Sequence, residues 1–283
     1  FRRGYGREQR QHFEALLAHR NAQRPTRARA QVLFAVGSLA LWQDGDNATA
    51  WARLNESLSL AEHLGDTRVM ADARRNLGAV LYNRGDNAAA RQHHEKALQL
   101  SRADGDVDGI RWSLEDLGDM AADKGDTAHA ENLYEEALSL ARQIGDQFGI
   151  ASILQCMGNL ARATGKAELA GELLREGLSV FMQTVRGRDR IAWCLRDLAF
   201  VASASGEPER AVRLLGAADA VREGTGIAAP PTSVGTIQET LGEARRRLGE
   251  AAYVVAWSEG RAMSLPQATT YALEPSAPVL SSS

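Results

Sequence analysis

Five stretches of the chain share one pattern at a nearly constant distance: QDGDNATA (43–50), NRGDNAAA (83–90), DKGDTAHA (123–130), ATGKAELA (163–170) and ASGEPERA (204–211). Their glycines, Gly45, Gly85, Gly125, Gly165 and Gly206, stand 40, 40, 40 and 41 residues apart. A second turn recurs between them, LGD at 64–66, DGD at 104–106, IGD at 144–146 and RGR at 186–188. Each period is cut into two segments of similar length, both closed by glycine. Such a period leaves few folds open, because one unit of this size cannot bury its own apolar face and must stack on its neighbours.

Between the turns the apolar spacing is that of a helix. Val69, Ala73, Leu77, Val80 and Leu81 fall on one face of 67–84, and Ala90, His94, Ala97, Leu98 and Leu100 on one face of 87–103. This reading also accounts for Arg84-Gly85-Asp86, a tripeptide that elsewhere marks adhesive proteins. Glycine supplies the left-handed residue that ends one helix, and the following Asp caps the free N–H groups of the next. The pair is punctuation between helices, and the fold class is all-α.

The hydrophobic fraction is 44% and rich in Ala and Leu, which favours helix over sheet. The net charge of -3 gives no general pull towards nucleic acid or membrane, although the first thirty residues carry eight Arg against two Glu. The longest apolar run, Val32 to Trp42, is too short to span a bilayer. Only two cysteines are present, Cys156 and Cys194, outside any metal-ligand spacing, so a reducing, cytoplasmic setting is expected. The chain begins at Phe1 and reads as part of a longer one.

Set in register, the residues resemble a tetratricopeptide repeat array. That family places a large apolar and a small residue near the middle of the first helix of each pair, helix A. Here the positions read Leu77-Gly78, Leu117-Gly118, Met157-Gly158 and Leu198-Ala199. Small residues recur where helix B crosses its partner: Ala50, Ala90, Ala130, Ala170 and Ala211, then Ser57, Ala97, Ala137, Gly177 and Ala218. The pattern departs from the family in its period, about 40, and in lacking the helix A aromatic, replaced by Arg74, Leu114, Leu154 and Leu195. The resemblance implies a right-handed α-solenoid of antiparallel helix pairs. Five pairs are expected (27–66, 67–106, 107–146, 147–187, 188–226), after a half repeat at 1–26. RQHFEALL (10–17) in that half repeat resembles RQHHEKAL (91–98), which lies in a helix B. Capping helices are expected over 227–273, with helices at 236–248 and 250–262 and a last one opened by a capping box of Ser264 and Gln267. The segment 274–283 reads as a frayed tail.

No catalytic constellation emerges. GNLARATGKA (158–167) approaches a phosphate-binding loop, but Leu160 replaces its first glycine and Ala167 its magnesium-binding hydroxyl. The six histidines show no metal-ligand spacing, and His94 reads as a packing residue. Cys156 and Cys194 read as buried structural thiols. No cofactor, metal or enzymatic activity is expected.

The resemblance further implies that one face of each helix A lines a concave, partner-binding groove. The lining positions are Trp42; Arg75 and Tyr82; Trp112, Glu115 and Asp119; Gln155, Asn159 and Arg162; and Trp193, Arg196 and Phe200. Aromatics mixed with both charge signs suit a binding surface for a protein or peptide partner, or a small effector, although Trp112 and Trp193 could instead pack on a neighbouring helix. One row reads Ala35, Arg75, Glu115, Gln155 and another Leu39, Ala79, Asp119, Asn159. Without lysine, and with two carboxylates, it does not suit an acidic chaperone tail.

LLGAADAVREGTG (214–226) and LGEARRRLGEAAYVVAWSEGRAMSLPQATTYAL (241–273) resemble the closing segment of repeat regions in large bacterial transcriptional regulators of LuxR, AfsR or MalT type. The implied partners within the full-length chain are a signalling ATPase module and a DNA-binding domain, with neither nucleic acid nor membrane bound by the repeats themselves. A free-standing repeat scaffold is the alternative. From the residues alone, Tyr253, Val254, Val255, Trp257 and Met263 are expected to close the open end of the solenoid as an apolar cap.

Overall fold

The computed structural model describes residues 2–19, 23–184, 188–225 and 231–275. Two compact units appear, residues 1–144 and 145–283. The described residues form fourteen α-helices and no strand. In the first unit these are α1 (Arg2–Ala18), α2 (Arg27–Leu39), α3 (Asn47–Leu64), α4 (Thr67–Asn83), α5 (Asn87–Asp104), α6 (Val107–Asp123) and α7 (Thr127–Ile144). The second holds α8 (Gln147–Ala163), α9 (Ala167–Gln183), α10 (Arg188–Ala204), α11 (Pro208–Thr225), α12 (Pro231–Leu248), α13 (Glu250–Ala262) and α14 (Leu265–Leu273). Within the units α2–α3, α4–α5, α6–α7, α8–α9 and α10–α11 pack as helix pairs, and successive pairs stack through α3–α4, α5–α6 and α9–α10.

The glycine turns do what their chemistry dictates. Gly85 has φ 82°, a conformation that costs glycine nothing, and Asp86 then accepts the Ala89 N–H to cap α5. Gly45, Gly125, Gly165 and Gly206 share the positive φ. Asp46, Asp66 and Asp126 cap the helices after their turns in the same way. Lys166 stands at the start of α9 directly after such a turn, so 158–167 is an inter-helix corner and not a phosphate loop. The turn at 186–188 falls largely outside the described residues, as do 226–230 and most of the expected tail.

The small residues of helix A are slots for a large side chain of helix B. A methyl on Gly78 would stand 2.6 Å from His94 Nε2, one on Gly118 2.5 Å from the Tyr134 ring, and one on Gly158 2.7 Å from Leu174. His94 is accordingly buried, and Ala50, Ala90, Ala97, Ala130, Ala137, Ala170, Ala211 and Ala218 all lie in the core. Ser57 is buried too, and it satisfies its hydroxyl by donating to the Ala30 carbonyl.

The first pair carries one residue more than the others between its slot and its turn: Gly37 to Gly45, against Gly78 to Gly85. The chain absorbs it as a π-turn over Ala40–Asp44. Counting back by forty therefore misplaces the lining of this pair. Leu54 fills the slot at Gly37, and the hydroxyl that receives the next helix A belongs to Ser38, one residue before Leu39.

The C-terminal segment departs from expectation in two respects. α12 opens at Pro231, earlier than 236, because a proline in the first helical turn lacks only an N–H that has no intrahelical partner there. The apolar cap is only partly apolar inside. Tyr253, Trp257 and Met263 pack against the core, whereas Val254 and Val255 are exposed on the far side of α13. What joins α13 to α11 is a close crossing at two glycines. A methyl on Gly216 would stand 2.7 Å from the Trp257 carbonyl, and one on Gly260 would collide with the Arg213 backbone. Arg213–Glu259 and Arg261–Glu223 ion pairs flank the crossing. α14 begins with the Ser264–Gln267 capping box, and Arg210 donates to the Tyr271 and Glu274 carbonyls at its other end.

Candidate functional site

The helix A positions separate into exposed residues and residues drawn into contacts between neighbouring A helices. In the first unit Trp42, carried on the π-turn, is 61% exposed, and Tyr82 is 36% exposed while its hydroxyl donates to Asp123. Asp119 is also exposed and accepts the Tyr134 hydroxyl at 2.6 Å. Arg75 and Trp112 meet, with the guanidinium 5.3 Å from the ring centroid. The fully buried Arg111 lies 3.9 Å from the same ring and bonds Glu115 at 3.1 Å and Asp108 at 3.0 Å. Glu115 is thus a buried counter-ion, not an open lining carboxylate.

In the second unit the polar lining converges on a residue that the repeat count did not single out. Asp197 is 1% exposed, and its Oδ2 accepts from Gln155 Nε2 at 2.7 Å and from Asn159 Nδ2 at 3.0 Å. Its Oδ1 accepts from Arg196 Nε at 2.8 Å and forms an ion pair with Arg196 Nη2 at 2.7 Å. Phe200 is buried with the Arg162 guanidinium 5.5 Å from its ring, and Trp193 lies 4.6 Å from the Arg190 guanidinium. Cys194 is buried beside this network; burial, with the Asp197 charge, pushes its thiol far up, so it is an inert core residue. Neither cysteine is in a disulfide, and Cys156 is half-buried where a buried thiol was expected.

Asp197 stands two residues before the central small residue of its helix, and the same position recurs in the first unit. Asn76 donates to Ser38 Oγ at 2.7 Å, and Asp116 lies 3.9 Å from Arg75 and 3.3 Å from His94. In each case this residue reaches back to a lining position of the preceding helix A. Aligning the helices on the small residue exposes the row, but its members are chemically unlike: Ala35, Asn76, Asp116, Cys156 and Asp197.

Burial acts to raise the Asp116 carboxyl, yet the charges of His94, Arg75 and Arg111 outweigh it and hold the pKa below the usual range. Among the described residues no cluster of three or more His, Cys, Asp or Glu could hold a metal, and no helix is long and apolar enough to cross a membrane.

Helix pairs closed by left-handed glycine, with a glycine slot in helix A filled from helix B, define an all-α repeat solenoid of the tetratricopeptide class. The tetratricopeptide repeat model matches residues 69–143 and 149–223, more than half of the chain, and the chain belongs to that family. No curated protein sequence matches it. Among solved structures it is similar to BtubC (BKLC) from P. vanneervenii, with a TM-score of 0.58 and 18% identity over 81% of this chain and 92% of that one. Pseudomonas aeruginosa pilF gives a TM-score of 0.47 at 16% identity, over 81% and 97% of the two chains. The likeness to BtubC is one of fold. The repeats themselves point to a protein–protein interaction module.

Proposed function

We propose that the chain is a non-catalytic, partner-binding arm of a larger bacterial transcriptional regulator, acting in the cytoplasm. Its A-helix face would receive a peptide, a partner protein or a small effector. The observation that carries the binding part is the exposure of Trp42, on the π-turn after α2, and Tyr82, on α4, together with the Arg75–Trp112 pair and the exposed Asp119 of the A helices α4 and α6. Packing gives no reason to hold a tryptophan in water on a helix that already fills its slot. Aromatic and arginine side chains are the types that dominate binding energy at interfaces.

The regulator part is supported by the resemblance of 214–226 and 241–273 to the closing segments of such proteins. A sensing arm of this kind works by shifting a population between a restrained and a released state, so the ligand must prefer one of them. The experiment is to read the coding sequence on both sides of the chain. An ATPase module in frame, with or without a DNA-binding domain, supports the regulator. A reading frame confined to these 283 residues contradicts it and leaves a free-standing adaptor.

A further inference from the structure

The two sides of α13 are unlike. Tyr253, Ala256 and Trp257 pack with residues of α11 and α12, and Gly260 brings the helix against the Arg213 backbone. The other side carries Ala251, Val254, Val255, Ser258 and Ala262, all exposed, Val254 at 48% and Val255 at 54%. With 3.6 residues to a turn the five share one face, and none of them is charged. A surface helix normally turns charged or polar residues to water, and packing on α11 and α12 gives no reason for two valines there.

The margins of this face restrict what can cover it. Glu250 is neutralised by Arg245, Arg261 by Glu223, and Glu259 by Arg213. A charged partner finds no surplus to recognise, whereas an uncharged helix face covers the valines without stranding an ion. The face also has the same spacing in both directions. Ala251, Val255, Ser258 and Ala262 stand four, three and four residues apart. Laid antiparallel on a copy of itself, α13 sets Ala251 opposite the partner's Ala262 and Val255 opposite the partner's Ser258. On one flank Glu250 approaches the partner's Arg261, of opposite sign, and on the other Glu259 meets the partner's Ala252, so no like charges oppose. Such complementarity of a surface to itself is what a two-fold contact requires.

We propose that the outer face of α13 is a self-association surface, through which two copies of this chain pair antiparallel about a two-fold axis between Val255 and Ser258. This is independent of the partner-binding and regulator readings above. The helix has 13 residues and is about 20 Å long. Stable dimers bury about 1,200–2,000 Å² in total, and one short helix pair covers less, so the expected dissociation constant is about 10–1,000 μM.

The test is sedimentation equilibrium of the full chain from about 10 μM to 1 mM. The expected result is a monomer–dimer equilibrium that Val255→Glu and Val254→Glu each weaken roughly ten-fold or more, at unchanged melting temperature. Should Val255→Glu fail to fold, Ser258→Arg, also on the exposed side, takes its place. The arrangement is read by thiol cross-linking with diamide in a Cys156→Ser background. Copies carrying Ala251→Cys should cross-link to copies carrying Ala262→Cys, and neither to itself. A chain that stays monomeric throughout would overturn the proposal, and the face would then be left to a different protein. A dimer indifferent to Val255→Glu but lost with Trp42→Ala would also overturn it, by moving the contact to the first unit. Cross-linking of Ala251→Cys copies to each other would overturn the antiparallel pairing.

Discussion

The step from α4 to α6 and the step from α8 to α10 are the same piece of repeat geometry filled in opposite ways. In the second, Asp197 gathers Gln155, Asn159 and Arg196 around one buried carboxylate, so three positions that family logic assigns to a ligand are engaged in holding helices together. In the first, Asp116 at the equivalent place contacts His94 and Arg75, and Tyr82 and Asp119 stay exposed. The repeat prescribes where a helix A residue points. Whether that residue is available to a partner depends on what stands two residues before the small residue of the next helix.

The comparison can be broken most sharply at its two acids. Asp197→Ala leaves the buried Gln155 amide, the half-buried Asn159 amide and a guanidinium without their acceptor and should cost about 3–5 kcal/mol in denaturant unfolding. Asp116→Ala should cost less, about 1–3 kcal/mol, since it loses charge contacts around an only partly buried group. Equal losses would mean that the two steps do not differ. Behind both steps the crossing of A and B helices is alike, so Ala130→Leu and Ala211→Leu, equivalent positions that are both fully buried, should lose about the same ~1–3 kcal/mol by overpacking. A large inequality would place the difference in the B helices.

A smaller effect separates the acids by pH. The Asp116 carboxyl sits below its unfolded value, so its contribution is complete above the ordinary carboxylate range and disappears as pH falls through the depressed folded pKa. The melting-temperature gap between the protein and Asp116→Asn should therefore be widest near neutrality and close in acid. A gap that stays constant with pH would remove the charge contact from the account. Smallest is Trp42→Ala, expected to change stability by no more than about 0.5 kcal/mol while weakening partner binding. A marked fall in melting temperature would make Trp42 a packing residue.

Much of this was legible in the residues themselves. The turn glycines, the Asp caps, the small-residue slots and the Ser264–Gln267 capping box each rest on local chemistry that a repeat displays several times, or that a short motif carries whole. The row of Asn76, Asp116 and Asp197 was hidden because it repeats a place and not a residue type. The π-turn was visible as one extra residue between Gly37 and Gly45, but a count taken between turns passes over it. At the other end Gly216 and Gly260 look like helix-weakening residues until the α11–α13 crossing requires their missing side chains. Val254 and Val255 are expected in the apolar cap on hydrophobicity, which cannot say which side of a single covering helix faces inward.

The central claim is that a polar residue two before the small one, Asn76, Asp116 or Asp197, fastens α4, α6 and α10 to the helix A before each. A double-mutant cycle on Gln155→Ala and Asp197→Ala, read by denaturant unfolding, tests it directly. The account predicts a coupling of about 1 kcal/mol or more between the two sites. Losses that add to within about 0.3–0.5 kcal/mol would show the two side chains to be independent and would contradict it.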